Sequence, residues 1–413
     1  MHAKRYDIAV IGGGIVGLAV GRELSLRYPR STIGIVEKEN EIGAHQTGHN
    51  SGVIHSGLYY RPGSFKAQFC VAGAEAMKRY CQEHDLPYEV CGKVVVATDS
   101  KEVERLQTLY QRGAANGVAG LEMIGPEHLK ELEPHAAGIK ALLCPPTGIV
   151  DYRLVAHSFA RDIQDHGGEV LTGARVQGIR QTEGLVRLET TMGDSQANYL
   201  VNCAGLHADV IATMAGVHPD VRIVPFRGEY YMLRPERSHL VKNLIYPVPN
   251  PEFPFLGVHF TRTIHGQVEA GPNAVLAFTR EGYRMTQVDV PETLATLLFP
   301  GFWAMTGRYW KTAAGEYYRS LSKKAFVRAL QHLLPDIRPE DVARGGAGVR
   351  AQALDRHGNL LDDFRIDETE NAIHILNAPS PAATSSLAIG EYVADRVAKV
   401  FAPQRVLSAQ ALG

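Results

Sequence analysis

The chain has 413 residues, 45% of them hydrophobic and 21% charged, and a formal net charge of −1. This length predicts two domains or one large one, and the charge gives no general reason to expect nucleic acid as a partner. Five scattered cysteines without a CxxC pair argue against a disulfide framework, a zinc site or a redox dithiol. The N-terminus lacks the apolar core of a signal peptide, and no apolar run approaches the roughly 20 residues of a membrane-spanning helix. We therefore expect a soluble cytoplasmic protein without a metal site, in contact with a membrane at most peripherally.

The segment from residue 6 to residue 37 has the order strand, glycine turn, helix, strand and acid. Gly12 can take the tight turn, Gly14 lets the backbone approach a pyrophosphate, and Gly17 lets the helix pack closely on the strand. Glu37 ends the second strand, where it can accept hydrogen bonds from ribose hydroxyls. The combination predicts a dinucleotide site with the pyrophosphate at the helix N-terminus.

A glycine- and polar-rich segment follows over residues 43–64, and irregular loops of this length are usually functional. Helical spacing then alternates with short β-rich runs up to about residue 145. Residues 145–216 return to strand–helix order, residues 226–277 alternate like an antiparallel sheet, and residues 291–334 have irregular helical spacing. The C-terminal part again has strand–loop–helix order.

The nucleotide-binding pieces are thus interleaved with a mostly β insertion. The expected fold is α/β, with a Rossmann-like dinucleotide-binding domain interleaved with an α+β substrate domain on a mostly antiparallel sheet. The expected dinucleotide-binding domain comprises residues 1–87, 146–217 and 340–413, and the substrate domain residues 88–145 and 218–339.

Two later segments favour FAD over a nicotinamide dinucleotide. The strand 200–203 closes on an Ala-Gly turn, as beside the nucleotide end of FAD in enzymes of the glutathione-reductase type. The loop 377–386 opens a helix whose N-terminal amides can stabilise negative charge on a reduced flavin. An ordinary βα loop of small residues is the alternative for that loop.

Seven longer motifs carry a resemblance: TGHNSGVIHSGLYYRPGS, PTGIVDYR, LVNCAGLHAD, PFRGEYY, FLGVHFTRTIHGQVEAGPNAVLAF, AGVRAQALD and NAPSPAATSSLAIG. They resemble the D-amino-acid-oxidase-like FAD oxidoreductases, and more closely the L-2-hydroxyglutarate dehydrogenase/oxidase family, over nearly the whole chain. The resemblance implies FAD, oxidation of L-2-hydroxyglutarate to 2-oxoglutarate by hydride transfer from C2 to flavin N5, and a membrane quinone or another electron acceptor. By motif, the resemblance assigns to the cofactor Gly12, Gly14, Gly17, Glu37, Lys38, Thr47, Asn50, Ser51, Val176 (through its backbone), Gly205, Pro381 and Thr384.

Oxidation of a 2-hydroxy acid needs a base for the hydroxyl proton, and histidine has a suitable pKa. His55, in the long loop, and His259, on a predicted strand, are the candidates, and the sequence leaves open which one is the base. Strand alternation places His259 and Thr261 on one face and Arg262 on the other, so His259 and Arg262 should not both face the substrate without a bulge.

The dicarboxylate substrate also needs cationic or hydroxyl partners. Arg350 resembles the arginine that the superfamily places beside the flavin, although alanine here replaces the proline that follows it; a structural ion pair with Asp355 or Asp363 is the alternative. Tyr59, Tyr230 and Arg262 are further candidates for substrate binding. Tyr230 and its neighbour Tyr231 alternate, so only one of them can face a pocket.

Two other functions remain open at this point. An FAD-dependent amine or amino-acid oxidase, acting on glycine, sarcosine or a D-amino acid, has the same fold. A flavoprotein that modifies tRNA is less favoured, because the chain is nearly neutral and lacks a basic stripe, and nothing in the sequence supports one that only binds FAD.

Apolar residues concentrate between residues 294 and 303, where Pro300 and Gly301 interrupt the helical spacing. If exposed, this segment predicts peripheral contact with a membrane for electron delivery to quinone. If buried, it is a helix packed under the substrate domain.

Overall fold

The structure is a computed structural model that describes residues 4–182, 184–251 and 256–410. The helices are α1 (Ile15–Arg27), α2 (Phe65–Glu83), α3 (Ser100–Ala115), α4 (Pro126–Leu132), α5 (Tyr152–Asp165), α6 (Ala208–Met214), α7 (Val290–Leu297), α8 (Pro300–Leu321), α9 (Lys323–Leu330) and α10 (Ser386–Gln410). The strands are β1 (Lys4–Ile11), β2 (Ile33–Val36), β3 (Val53–Ile54), β4 (Tyr88–Glu89), β5 (Lys93–Ala97), β6 (Glu122–Ile124), β7 (Lys140–Cys144), β8 (Gly148–Val150), β9 (Glu169–Leu171), β10 (Val176–Thr182), β11 (Leu185–Thr190), β12 (Ser195–Asn202), β13 (Val221–Leu233), β14 (Leu244–Pro247), β15 (His259–Arg262), β16 (Val268–Gly271), β17 (Val275–Leu276), β18 (Val342–Asp355), β19 (Arg365–Glu368) and β20 (Ala372–Asn377).

The first of two compact units comprises Met1–Gly48, Tyr152–Ile223 and Leu361–Gly413. Its sheet has the order β10-β11-β12-β1-β2-β9, with β20 beside β12 and β19 beside β20. Strands β9, β2, β1, β12 and β20 are parallel, and α1 packs against α5 and α10. This is the predicted Rossmann-like arrangement.

The second unit comprises His49–Asp151 and Val224–Leu360. Its large sheet has the order β17-β13-β16-β15-β14-β5-β7-β6, in which neighbouring strands are antiparallel except that β14 runs parallel to β5; β18 pairs with β13. The three-stranded sheet β3-β8-β4 belongs to the same unit. The predicted antiparallel character is therefore observed.

Apolar clusters pack on both faces of the large sheet at β5. On β5, Val94 and Val96 join one core cluster, whereas Val95 and Ala97 join another. The strand is therefore buried on both sides, which explains its nearly continuous apolar sequence.

The bounds of the units differ from the expected domain bounds. Residues 49–87, 146–151 and 340–360 lie in the second unit rather than with the nucleotide-binding part, and residues 218–223 lie in the first. The reason is pairing: β3 pairs with β8, and β18 pairs with β13. Residues 1–3 and 411–413 of the expected FAD-binding domain lie outside the described residues, as do residues 252–255 of the insertion.

Residues 291–334, which were predicted to be irregularly helical, fold into most of α7 together with α8 and α9. Asp289 caps α7 by accepting from the Glu292 amide, and Phe299 immediately precedes Pro300 at the start of α8. Among the described helices, none combines the length and the apolar character needed to cross a bilayer.

Candidate active site

In the first unit, the glycine turn between β1 and α1 leaves no room for a Cβ at Gly12 or Gly17. Gly12 has φ +113°, and a Cβ there would lie 2.4 Å from the Cys203 carbonyl oxygen. A Cβ on Gly17 would lie 2.0 Å from the Gly12 oxygen, so Gly17 is needed for helix–strand packing. A Cβ on Gly14 would approach nothing closer than 3.5 Å, which is the Thr47 hydroxyl. A Cβ at Gly14 would therefore meet the protein only at ordinary van der Waals distance, at the N-terminus of α1, where a pyrophosphate would bind.

Glu37 follows β2 and is 8% exposed. Its Oε2 accepts from the Gly13 amide at 2.6 Å and its Oε1 from the Glu39 amide at 2.8 Å. Each carboxylate oxygen keeps a second lone pair for a ribose hydroxyl. Lys38 pairs with Glu39 and with His45 Nε2, so its ammonium lies at this end of β2 as well.

The other cofactor candidates of the first unit lie at turns and element ends. The Thr47 hydroxyl accepts from the Ile15 amide at 2.9 Å, in the first turn of α1. Val176 begins β10 and is buried. Gly205 has φ +53° in the turn after β12, and a Cβ there would lie 3.1 Å from Gln46 Oε1. Asn50 and Ser51 belong to the second unit, where Asn50 Oδ1 accepts from the Gly52 amide at 2.9 Å.

The loop before α10 and the first residue of that helix carry two hydroxyl groups, those of Ser385 and Ser386, that the sequence analysis did not assign. Pro381 is buried there, and the Thr384 hydroxyl hydrogen-bonds the Tyr152 hydroxyl at 2.9 Å. Ser385 and Ser386 have buried hydroxyls for which no hydrogen-bond partner exists within the described ranges. Since unsatisfied buried hydroxyls are costly, a polar ligand at this helix N-terminus would stabilise them. With the space beside Gly14, these groups fit an extended dinucleotide such as FAD.

In the second unit, one face of the large sheet carries the polar side chains. Tyr246 on β14 lies opposite His259 on β15, and their ring centroids lie 4.0 Å apart with the ring planes tilted by 33°. On the next strands, Gly271 pairs with His259, and Tyr230 lies one residue before the pair Tyr231–Ala270. The predicted alternation is confirmed for β15, since Phe260 joins the core cluster on the opposite face. It is confirmed for β13 as well, because Tyr231 packs in that same cluster.

Lys93 begins β5 on the same face and is 2% exposed. Its Nζ lies 4.4 Å from the Tyr59 ring centroid and 5.0 Å from the Tyr246 ring centroid. Burial lowers the pKa of Lys93. The sequence analysis did not single out this residue. The sequence does indicate that Lys93 is buried, because it shares the face of Val95 and Ala97 on a strand whose apolar run indicates burial on both sides.

Both candidate bases are neutral at pH 7. Burial, and then the charges of Lys93 and His259, lower the pKa of His55 to about 3. Burial also lowers the pKa of His259 to about 4, and the charges of Arg350 and Lys93 contribute. His259 Nδ1 lies 2.9 Å from the Gly257 carbonyl oxygen, which can only accept. Nδ1 therefore carries the proton, and Nε2 has the lone pair that a general base needs.

Arg350 lies on β18 and is partly buried, with its Nη1 atom shielded from solvent. Burial lowers its pKa, while the negative form of Tyr230 and the carboxylate of Glu316 oppose that change. The Asp355 carboxylate, considered as its ion-pair partner, accepts instead from Asn359 and from the His357 amide. Glu269 is a further unassigned member of this cluster, and burial raises the pKa of its carboxyl to about 7.

Arg262 is not brought to this cluster. Its guanidinium forms an ion pair with Glu89 at 2.5 Å and donates to the Lys242 carbonyl at 2.6 Å. The expectation of Arg262 as a substrate ligand is therefore corrected: the strand alternation directs it away from His259, and an acidic partner engages it there.

The chain is similar to known proteins over most of its length. Residues 7–396 match the family model of FAD-dependent oxidoreductases. The L-2-hydroxyglutarate dehydrogenase of Indibacter alkaliphilus is 53% identical over 397 residues, which cover 96% of this chain and 100% of that relative. The mitochondrial L-2-hydroxyglutarate dehydrogenase of Homo sapiens is 48% identical over 413 residues, which cover 96% of this chain and 89% of that relative.

Solved structures show the same fold. An L-α-glycerophosphate oxidase from Mycoplasma pneumoniae with FAD bound has a TM-score of 0.76 at 21% identity and covers 94% of this chain and 93% of its own. Glycine oxidase from Geobacillus kaustophilus has a TM-score of 0.73 at 20% identity and covers 96% of this chain and 95% of its own. The chain belongs to the FAD-dependent oxidoreductases and, within them, to the L-2-hydroxyglutarate dehydrogenase family.

Proposed function

We propose that this protein oxidises L-2-hydroxyglutarate to 2-oxoglutarate with FAD as cofactor. The similarity to L-2-hydroxyglutarate dehydrogenases over 96% of the chain carries this proposal. The chemistry of the second unit supports it, because neutral histidines suit proton removal from a hydroxyl and buried cations suit a dicarboxylate. When bound, FAD supplies the acceptor for the hydride that leaves C2.

His259 is the proposed base. Its Nδ1–H is held by the Gly257 carbonyl, which leaves Nε2 to take the proton of the substrate hydroxyl. Packing against Tyr246 fixes the plane of the imidazole ring. Arg350 and Tyr230 are the proposed partners of the substrate carboxylate next to the reacting carbon, and His55 and Tyr59 line the same buried cluster.

The first unit supplies the proposed cofactor contacts. Gly12, Gly14 and Gly17 shape the turn that receives the pyrophosphate, and Glu37 accepts from the ribose. The remaining proposed contacts within this unit are Lys38, Thr47, Val176, Gly205, Pro381 and Thr384.

The amine-oxidase alternative is not favoured. Glycine oxidase shares the fold at 20% identity, whereas the relatives at 46–53% identity are named L-2-hydroxyglutarate dehydrogenases. Anaerobic mixing of the purified flavoprotein with L-2-hydroxyglutarate should bleach the visible flavin band and release 2-oxoglutarate. D-2-hydroxyglutarate, glycine, sarcosine and D-alanine should not. Bleaching by an amine, without bleaching by L-2-hydroxyglutarate, would reverse the assignment.

We further propose that electrons leave to a membrane quinone from a protein bound peripherally to the cytoplasmic face of the membrane. The apolar segment near α7 and α8 supports this, because Leu294, Leu298 and Trp303 are 51%, 79% and 59% exposed. A patch of this kind can bury its side chains at a bilayer surface. Phe302, by contrast, is buried against the unit.

The double change of Leu298 and Trp303 to serine tests the patch. Each buried side chain of this size contributes about 1.5–3 kcal/mol, so vesicle binding should fall at least about tenfold in flotation assays. Met192→Ser, which removes a side chain 71% exposed in the first unit, is the matched control. Equal flotation of the double variant and the wild type would argue against this surface.

A cavity of about 530 Å³ in the second unit supports the quinone proposal. It is lined mainly by apolar side chains, including Phe302, Met305 and Tyr309 of α8. Ala313 lines it as well and is exposed, so Ala313→Trp can obstruct it with little cost to folding. We expect slower reduction of a soluble quinone and unchanged anaerobic reduction by substrate, with the exposed neighbour Ala314→Trp as control. Unchanged quinone turnover in Ala313→Trp would exclude this cavity.

A further inference from the structure

We propose that Lys93 binds the substrate carboxylate farther from the reacting carbon and so selects dicarboxylates over monocarboxylates. This inference rests on the proposed oxidation of L-2-hydroxyglutarate and deepens it by assigning the specificity to one residue.

The first observation is the position of Lys93. The register of β5, β14 and β15 places it on the face that carries Tyr246 and His259. Its residue exposure is 2%, and Nζ makes contact with the faces of Tyr59 and Tyr246. The lysine therefore reaches the same buried cluster as the proposed base.

The second observation concerns hydrogen bonding. Across the described ranges, Lys93 Nζ has no hydrogen-bond partner and no carboxylate oxygen within 4.0 Å. Lysine is almost never fully buried without a partner, because desolvation penalises its charged form. Two aromatic faces attract a cation but do not accept its N–H bonds. A carboxylate ligand would supply both the charge and the acceptors.

The third observation is the charge of the cluster. The charge of Lys93 contributes to lowering the pKa of both His55 and His259, and Arg350 acts on His259 as a second cation. The acid of the cluster, Glu269, has a pKa raised to about 7 by burial and so is partly protonated at neutral pH. The second carboxylate of a dianion would supply Lys93 with a counter-ion, which a monocarboxylate cannot do. With Arg350 assigned to the carboxylate at the reacting carbon, Lys93 takes the other.

The competing explanation is structural: Lys93 could only hold Tyr59 and Tyr246 in place through cation–π contacts. The two roles differ in their consequences. Loss of a structural clamp lowers stability and impairs all substrates alike. Loss of a carboxylate ligand impairs only the dicarboxylate, and replacement of a buried charge by an apolar side chain of similar volume tends to leave stability unchanged or higher.

The test is Lys93→Met in the FAD-loaded protein, with L-2-hydroxyglutarate compared with L-2-hydroxybutyrate, which lacks the distal carboxylate. We expect the second-order rate constant of anaerobic flavin reduction to fall about 100-fold or more for L-2-hydroxyglutarate, as for removal of one partner of a buried charge pair. For L-2-hydroxybutyrate we expect no loss of rate, since this substrate does not use the contact. Lys66→Met is the matched control, because it removes a less buried lysine that lies 5.6 Å from a tyrosine ring.

A binding measurement without turnover complements the kinetics. Glutarate should raise the melting temperature of the wild type more than butyrate does, and Lys93→Met should abolish that difference. Lys93→Gln, which keeps polar contacts without the charge, serves if the methionine variant is not recovered. Equal losses for both substrates together with a lower melting temperature would establish the clamp, and unchanged kinetics would exclude any role in binding. If the wild type itself fails to oxidise L-2-hydroxyglutarate, the proposed function fails instead.

Discussion

Replacement of His259 by asparagine separates its chemical role from its structural one. The asparagine amide can occupy the place of Nδ1–H and still donate to the Gly257 carbonyl, which His259 contacts at 2.9 Å. The Nε2 lone pair is lost, so no base remains at this position. We therefore expect His259→Asn to fold and bind FAD but to reduce the flavin slowly.

The expected effects on rate and stability differ in size. Removal of a positioned base costs about 10²–10⁴-fold in rate, which corresponds to about 2.7–5.5 kcal/mol of activation free energy. The loss of the ring contact with Tyr246, at 4.0 Å between centroids, costs only about 0.5–1.5 kcal/mol of folding free energy. Stopped-flow measurement of anaerobic flavin reduction gives the first quantity, and urea unfolding gives the second.

His55→Asn is the control, since His55 lies in the same cluster and its pKa is also lowered, to about 3. A reduction rate of His259→Asn within about tenfold of the wild type would refute the assignment. If His55→Asn then showed the large loss, His55 would be the base. A parallel loss in both variants would mean that the two histidines act as a unit.

Two further predictions concern acid stability and the cofactor turn. The folded-state pKa of His259 is about 4, below the 6.5 of an unfolded histidine, so its contribution to stability is present above pH 6.5 and is lost as the pH falls toward 4. By linkage, the loss of unfolding free energy reaches about 2 kcal/mol at pH 5. Urea unfolding at pH 7 and pH 5 should therefore show a smaller loss for His259→Asn than for the wild type. An equal pH dependence in both proteins would contradict this. Gly14→Ala should fold normally and bind FAD at least about tenfold more weakly. Gly17→Ala should instead lower the melting temperature of the apoprotein, because its Cβ would lie 2.0 Å from the Gly12 oxygen. FAD titration and thermal unfolding of both variants check this, and a larger loss of stability in Gly14→Ala than in Gly17→Ala would contradict it.

Local patterns in the sequence predicted much of the fold. The glycine spacing after β1 predicted the turn, and the structure shows which atoms a Cβ at each glycine would approach. Alternation on β13 and β15 correctly separated Tyr231 and Phe260, which pack in the core, from Tyr230 and His259. These predictions succeed because a side chain's face follows from the two-residue period of a strand.

The bounds of the two units and the partners of charged groups could not be predicted from local sequence patterns. The long strand β18 lies in the second unit because it pairs with β13, a partner about 110–130 residues away along the chain. Arg262 has its partner in Glu89, and Lys93 is placed beside Tyr246 by the pairing of β5 with β14. Each depends on strand order, which local periodicity does not specify.

The charges in the second unit couple substrate binding to the readiness of the base. In the free protein, burial is the main cause of the lowered pKa of His259, and the charges of Arg350 and Lys93 lower it further. Two substrate carboxylates beside these cations would offset both charge contributions and raise the pKa of His259, which makes Nε2 a stronger base once the dianion is bound. A monocarboxylate would offset only one. Selection of a dicarboxylate would therefore appear in the rate of flavin reduction at saturating substrate as well as in affinity, and in Lys93→Met the free-protein pKa of His259 should rise.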